Sequence, residues 1–288
     1  MPAAASAIVH GPTGVDSPYD GLHLDTRDPD YVRSWLPSAE LVARLYFRVR
    51  CTGVEGVPTS GPMIFVGNHS GGLSTPDTAM VVHAYWSYWG ADRPTYALVD
   101  PSIFRMPKMA KHMARLGGVA AVPRMAQEIL RNRASMLIYP GAGDEAYRPH
   151  HERHLVKLGN RSAYVRLAMR YKVPIVPVVC HGGHDTLVVL DDGKERARAL
   201  GLDRLGLDRL PLTYSWPWGL ALGSIYGVPF PARMDIAFGE PIHLDGFDTA
   251  EARDPQAIEW CHRHVERRMQ AMLDGLVAAR GKRMVETA

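Results

Sequence analysis

The sequence predicts a single α/β domain with a mixed, mostly parallel sheet flanked by helices. Two observations lead there. Short apolar runs bounded by turn residues alternate with longer segments of helical period, which is the pattern of strands joined by helices. No linker divides the chain, so residues 21–288 read as one domain behind a flexible leader at 1–20.

The elements follow in order. Asp30 to Arg50 carries Tyr31, Trp35, Leu41, Leu45 and Tyr46 at loose helical spacing, with Pro37 expected to split it in two. Pro58, Ser60, Gly61 and Pro62 mark a turn before Met63 to Gly67, a short buried strand. Pro76 and Asp77 open an apolar helix through Tyr88. Thr95 to Val99 is a second strand, and Lys108 to Leu116 a helix stopped by Gly117 and Gly118. Val119 to Val122, Ser135 to Tyr139 and Val173 to Cys180 read as further strands, separated by helices at Met125 to Arg133 and Ser162 to Tyr171. Met234 to Phe238 is a late strand and Pro255 to Ala279 a long closing helix.

Composition narrows the class. Of 288 residues, 46% are apolar and 22% charged, as in an ordinary globular protein. Cys51, Cys180 and Cys261 are an odd, scattered set, which argues against a disulfide framework and for a reducing compartment. A net charge of +3 permits an anionic lipid or nucleotide partner without demanding nucleic acid. The segment Met1 to Pro18 lacks the basic start and apolar core of a signal peptide. Pro211 to Ala232 carries no charge, but its four prolines and three glycines break a membrane helix. It reads as loops and short elements, either buried core or an interfacial surface using Trp216, Trp218 and Tyr226.

Four blocks could carry chemistry. In Gly67-Asn68-His69-Ser70-Gly71-Gly72, a histidine lies just past a strand, where α/β sheets form sites, and Asp77 follows eight residues later. Asp77 could fix the tautomer of His69 and raise its basicity, as a general base requires. The plainer alternative is a helix-capping Asp77 beside a loop histidine. Arg124, after Gly118 and a short strand, could offer a bidentate fork to phosphate or stand as a surface cation. In Tyr139-Pro140-Gly141-Ala142-Gly143-Asp144-Glu145, backbone N–H groups at Gly141 and Gly143 could meet an oxyanion, and Glu145 a substrate hydroxyl; an ordinary turn is the alternative. Val173-Pro174-Ile175-Val176-Pro177 suggests a rigid strand at a site or a sheet edge.

In order and spacing, these four blocks and a final Phe238-Gly239-Glu240-Pro241-Ile242 resemble the glycerolipid acyltransferase superfamily, the lysophosphatidic acid acyltransferase-like enzymes. The third block, with Lys157 downstream, is similar to the diacylglycerol acyltransferase-like branch. Two positions depart: Ser74 stands where the family usually carries the aspartate, so Asp77 must take that part over an enlarged loop, and Ala142 replaces a common glycine. The resemblance implies a glycerol-3-phosphate acyltransferase-like fold. It implies transfer of an acyl group from acyl-CoA, as co-substrate and with no other cofactor, to a lipid hydroxyl. His69 would be the base and Asp77 its orienter; Arg124, Gly141, Gly143, Glu145 and Pro174 would lie in the substrate-binding blocks. The cysteine usage, the basic closing helix and the aromatic residues Trp35, Tyr46 and Trp216 fit a cytoplasmic protein peripheral to a membrane surface, and no nucleic-acid partner is expected.

Rivals remain. Ser70 is out of phase for a Gly-x-Ser-x-Gly hydrolase elbow. His150, His151 and His154, with His181, His184 and Asp185, keep a metal-dependent hydrolase open, although His-Glu-x-x-His spacing is missing. A non-catalytic lipid-binding protein on the same fold is the third reading. His184 and Asp185 could instead line the acyltransferase pocket, and the basic residues Arg263, Arg267, Arg268, Arg280, Lys282 and Arg283 of the closing helix and its tail could be a solvated face or meet anionic lipid.

Overall fold

The computed structural model describes residues 17–247 and 251–286, with side chains through residue 282. Most of the expected leader therefore lies outside the described residues.

The described residues form ten strands and eight α-helices, strands and helices largely alternating. The strands are β1 (Arg50–Thr52), β2 (Ile64–Gly67), β3 (Thr95–Val99), β4 (Gly118–Ala120), β5 (Ser135–Ile138), β6 (Ile175–His181), β7 (Val188–Asp191), β8 (Leu212–Ser215), β9 (Gly219–Leu222) and β10 (Asp235–Phe238). The helices are α1 (Pro29–Leu41), α2 (Pro76–Trp89), α3 (Pro107–Arg115), α4 (Pro123–Arg131), α5 (Ala142–Ala146), α6 (Ala163–Tyr171), α7 (Lys194–Ala199) and α8 (Pro255–Glu286). The main sheet has seven strands in the order β1-β10-β6-β2-β5-β3-β4. All its pairings are parallel except β10 with β6.

Period-two alternation builds the three layers. Ile64 and Val66 of β2 join Met136 of β5 in a core under α3, α4, α6 and α8, while Phe65 and Leu137 point to a second core under α1 and α2. Both faces are covered, so β2 is buried along its whole length. The middle of the sheet therefore reads as an unbroken apolar run, and its C-terminal edge opens into the His69 loop.

Several expectations need correction. Pro37 does not split the first helix, because α1 runs through it. Pro37 is exposed, so the carbonyl that it leaves unpaired can be solvated. The helix instead loosens into a π turn at Val42–Tyr46, before the unforeseen β1. Pro177 lies in an interior strand, not at a sheet edge. It is tolerated because β10 stops at Phe238: Gly239 donates to the Pro177 carbonyl (2.8 Å), and the return bond that a proline cannot give falls beyond the ladder. The Gly141–Gly143 segment is not merely a turn, since α5 starts within it. The uncharged Pro211–Ala232 segment contributes β8 and β9 to a separate antiparallel sheet, β7-β8-β9. The closing helix extends to Glu286. Arg280 on it is no solvated cation: it reaches Asp235 (2.7 Å), whereas Arg263 stays on the surface beside Glu259.

Candidate active site

β2 ends at Gly67, and the chain keeps its place in the sheet through a side chain. The Asn68 amide donates to the Cys180 carbonyl (3.1 Å) and accepts from the Cys180 N–H (2.8 Å), copying a strand ladder for one more residue. His69 follows at the C-terminal edge of the sheet. Its Nδ1 meets Asp77 Oδ2 at 2.9 Å. The eight-residue separation closes because Gly71, Gly72 and Thr75 all take positive φ, which folds the enlarged loop back on itself. A Cβ at Gly71 would strike Pro76, and one at Gly72 would strike Leu187.

Asp77 sits in the first turn of α2 and is fully buried. Its Oδ2 also accepts the Ser70 N–H (2.7 Å), and its Oδ1 accepts the Thr78 N–H (2.7 Å). The carboxylate therefore fixes the ring and the backbone beyond it, and the sequence alternative of a simple helix cap describes only one of its oxygens. With Nδ1 engaged by a carboxylate, Nε2 is the nitrogen left for a reacting group. Burial would lower the His69 pKa; the charge and hydrogen bond of Asp77, with Glu145 behind, turn the net shift upward.

Two further groups hold His69. Tyr139, just past β5, stacks on the imidazole with ring centroids 4.4 Å apart and planes 24° apart. The β2–β5 register sets Gly67 beside Tyr139, and a Cβ at Gly67 would overlap the tyrosine ring. Glu145 Oε2 accepts the His69 backbone N–H (3.2 Å). Its Oε1 takes Arg148 (2.8 Å) and the Lys157 N–H (3.2 Å). Arg148 is itself buried and also donates to the Leu155 carbonyl. Burial pushes the Glu145 carboxyl up to about 7, against the pull of Arg148 and the two backbone donors.

Not every residue singled out in the sequence comes to this place. His69, Asp77 and Glu145 meet. Gly141 packs against the Glu145 side chain, and Gly143 against Arg209, which donates to the Gly143 carbonyl and reaches Asp144 (2.9 Å). Glu145 has both oxygens engaged within the protein, so it supports the His69 backbone and offers no free oxygen to a substrate hydroxyl. Arg124 is exposed at the start of α4 beside Glu128 (3.8 Å), on the far side of β5 and β3 from His69, roughly 14 Å by strand spacing. Pro174 lies at the opposite end of the sheet, where its carbonyl accepts the Ile64 N–H (3.0 Å). That is roughly 13 Å along the strand from the His69 edge, so it belongs to the scaffold.

Sequence reasoning missed Asn68, Tyr139 and Arg148 as supports. Asn68 and Tyr139 were visible only as members of blocks, because their partners come from neighbouring strands. Arg148 carried a local signal, an opposite charge three residues after Glu145 in the turn that follows α5.

The histidines divide. His184 is buried, and desolvation, reinforced by the positive field of Arg148 and by His69, keeps it neutral. His150 pairs with Asp185 (3.0 Å), which Arg280 also approaches (3.8 Å). Among the described residues no group of three or more His, Cys, Asp or Glu could hold a metal ion. No helix among them is long and apolar enough to cross a membrane.

Comparison with known proteins adds the family. Residues 48–181 match the family model described as Acyltransferase. An uncharacterized protein of Mycobacterium tuberculosis is 28% identical over 85% of this chain, which spans 66% of that relative's length. Phytyl ester synthase 2 of Arabidopsis thaliana is 29% identical over 50% of this chain and 21% of its own. The crystal structure of the 1-acyl-sn-glycerophosphate (LPA) acyltransferase of Thermotoga maritima shares the fold, with a TM-score of 0.54 at 18% identity over 88% of this chain and 84% of that one. The segment from Arg48 to His181, which holds the His69–Asp77 pair near its start, is similar to the acyltransferase family.

Proposed function

We propose that the protein is an acyl-CoA-dependent O-acyltransferase that esterifies a hydroxyl of a glycerolipid, lysophospholipid or related lipid alcohol, working at the cytoplasmic face of a membrane as a peripheral protein. The observation that carries this reading is the His69 Nδ1–Asp77 contact of 2.9 Å at the sheet's C-terminal edge, within the acyltransferase segment. The lipid acceptor draws support from the names of the relatives, one a phytyl ester synthase and another an acyltransferase for 1-acyl-sn-glycerophosphate.

In this reading His69 Nε2 takes the proton of the acceptor hydroxyl as its oxygen attacks the thioester carbonyl. The C–O bond forms and the carbonyl electrons move onto oxygen. Collapse of the tetrahedral intermediate breaks the C–S bond, and the leaving thiolate takes the proton back from the imidazolium. Asp77 keeps the ring in the productive tautomer and stabilises its charged form, as in other His–Asp pairs. Backbone N–H groups near Gly141 and Gly143 stand as oxyanion donors. Arg124 holds a phosphate of donor or acceptor and meets only a substrate long enough to reach across two strands. No acyl-enzyme forms, so no nucleophilic Ser or Cys is required.

The test is release of free CoA from palmitoyl-CoA by the purified protein in detergent, with lysophosphatidic acid, other lysophospholipids, monoacylglycerol, diacylglycerol and long-chain alcohols as acceptors. An acyl carrier protein thioester runs in parallel as donor. Acceptor-dependent release that vanishes in His69→Ala supports the reading. Release independent of any acceptor replaces it with a thioesterase, and use of the carrier-protein thioester alone changes the donor.

A further inference from the structure

The small sheet is built inside out. In β8 and β9 the register pairs Tyr214 with Leu220 and Leu212 with Leu222 on one face, and Thr213 with Ala221 on the other. An antiparallel sheet with one wet face normally turns its large apolar side chains inward and its polar ones out. Here Thr213, Ser215 and Ala221 are the buried set, while Tyr214, Trp216, Trp218, Leu220 and Leu222 are 51–64% exposed. No charged residue occurs from Leu210 to Ala232. An apolar sheet face of this kind marks an interaction site.

Its place in the fold narrows the partner. The Tyr46 hydroxyl donates to the Pro229 carbonyl (2.5 Å), which ties the segment after β9 to the π turn at 42–46. Leu45 and Arg44 on that turn, and Leu41 and Arg48 flanking it, are exposed as well. On the other side, the Ser74 hydroxyl donates to the Gly227 carbonyl (2.8 Å), and Leu187 just before β7 closes on Gly72. The face is thus fastened to the loop that joins His69 to Asp77. The face itself carries no charge and shows the rings of Tyr214, Trp216 and Trp218. A bilayer needs only apolar depth, aromatic rings at headgroup level and cations beside anionic lipid.

We infer that the outward face of β8–β9, with the turn that carries Arg44 and Arg48 tied beside it, docks on an anionic phospholipid bilayer and sets the His69 loop against the membrane surface. The inference deepens the proposed function and rests on it for the identity of the substrate, which would then enter from the bilayer without crossing water. The surface itself is read without any turnover.

The experiment is co-sedimentation with vesicles of phosphatidylglycerol and phosphatidylcholine, and with phosphatidylcholine alone. The wild-type chain is expected to sediment with the mixed vesicles and much less with the neutral ones. Leu220→Glu/Leu222→Glu should abolish sedimentation at an unchanged melting temperature, and Arg44→Gln should weaken it about fivefold. Should the double variant melt early, Leu220→Ser gives the same reading at a position 64% exposed. Sedimentation equal to wild type in the folded variants overturns the inference. So does a wild-type dimer that Leu220→Glu/Leu222→Glu splits without any change in vesicle binding, because the face would then cover a second copy. Equal binding to neutral vesicles overturns the role of the arginines. Loss of vesicle binding in a chain that transfers no acyl group would support the docking surface and sink the proposed reaction.

Discussion

The His69 edge of the large sheet and the outer face of the small one solve opposite problems with the same kind of chain. Around His69, polar groups are drawn inward: Asp77, Glu145 and Arg148 are all buried and each meets specific donors or acceptors. Around β8 and β9, apolar groups are turned outward, and the buried side carries Thr213, Ser215 and Ala221. Buried charge costs several kcal/mol unless paired, so it persists where a fixed charge geometry is needed. Exposed apolar area costs solubility, so it persists where something covers it. The two regions meet at the Gly71–Ser74 loop, one with its polar groups paired inside and the other with its apolar groups outside.

The comparison breaks most sharply at the base. His69→Ala should lower acyl transfer by at least about a thousandfold with the melting temperature retained, measured as initial rate beside thermal unfolding. Asp77→Asn should follow, with a loss of about two to four orders of magnitude, because an amide cannot accept from both His69 and Ser70 while also serving Thr78. The pH profile separates these effects. His69 must be neutral to act, and its pKa is raised above 6.5, so wild-type activity should climb with pH through a midpoint above 6.5. In Asp77→Asn the residual activity should have its midpoint shifted down.

Stability tests come next. Arg148→Met removes the partner of a buried carboxyl that titrates near 7 and should destabilise the fold most at alkaline pH, by up to about 3–5 kcal/mol, read by denaturant unfolding. The loss should shrink in acid, where Glu145 can take a proton. Glu145 gives a finer signature. Its carboxyl titrates near 7 in the folded chain and ordinarily near 4.5, so the folded state binds the extra proton between these values. Its contribution to stability is complete below about 4.5 and is lost as pH rises through 7. Glu145→Gln should flatten that slope, and a slope unchanged in the variant would assign it to another group. The smallest effect belongs to the other region: Leu220→Ala should change stability by under about 0.5 kcal/mol, against about 2–5 kcal/mol for Ile64→Ala in the core.

Much of the fold was legible. Thr95–Val99 matches its expected strand end to end, and the helices opened by Pro76, Pro107 and Pro123 and the one at Ala163–Tyr171 lie within about two residues of their expected bounds. Each has a local cause: a short apolar run for the strand, a proline at the first turn for three helices, and the helical spacing of Tyr164, Val165, Ala168 and Met169 for the fourth. The site was partly legible. His69 and Asp77 announced themselves by strand end and helix start, and the glycines between them hinted at the loop that closes the gap. Other expectations weakened where a neighbour intervened. Pro174 looked like a site residue because it shares a block with Pro177, yet strand direction carries it to the other end of the sheet. Glu145 looked free because its three donors come from three separate segments.

By itself the sequence determined the alternation of strands and helices, the family likeness of the four blocks, and the uncharged, aromatic character of the segment from Pro211 to Ala232. These are properties of short windows, set by period, turn chemistry and charge. Only the tertiary structure decided that Tyr139 lies on the His69 ring, that Glu145 and Arg148 are buried beneath its backbone, and that Tyr214, Leu220 and Leu222 face out instead of in. The physical reason is the same in each case: pairing register assigns every second residue of a strand to one face, and register is fixed by partners far away in the chain.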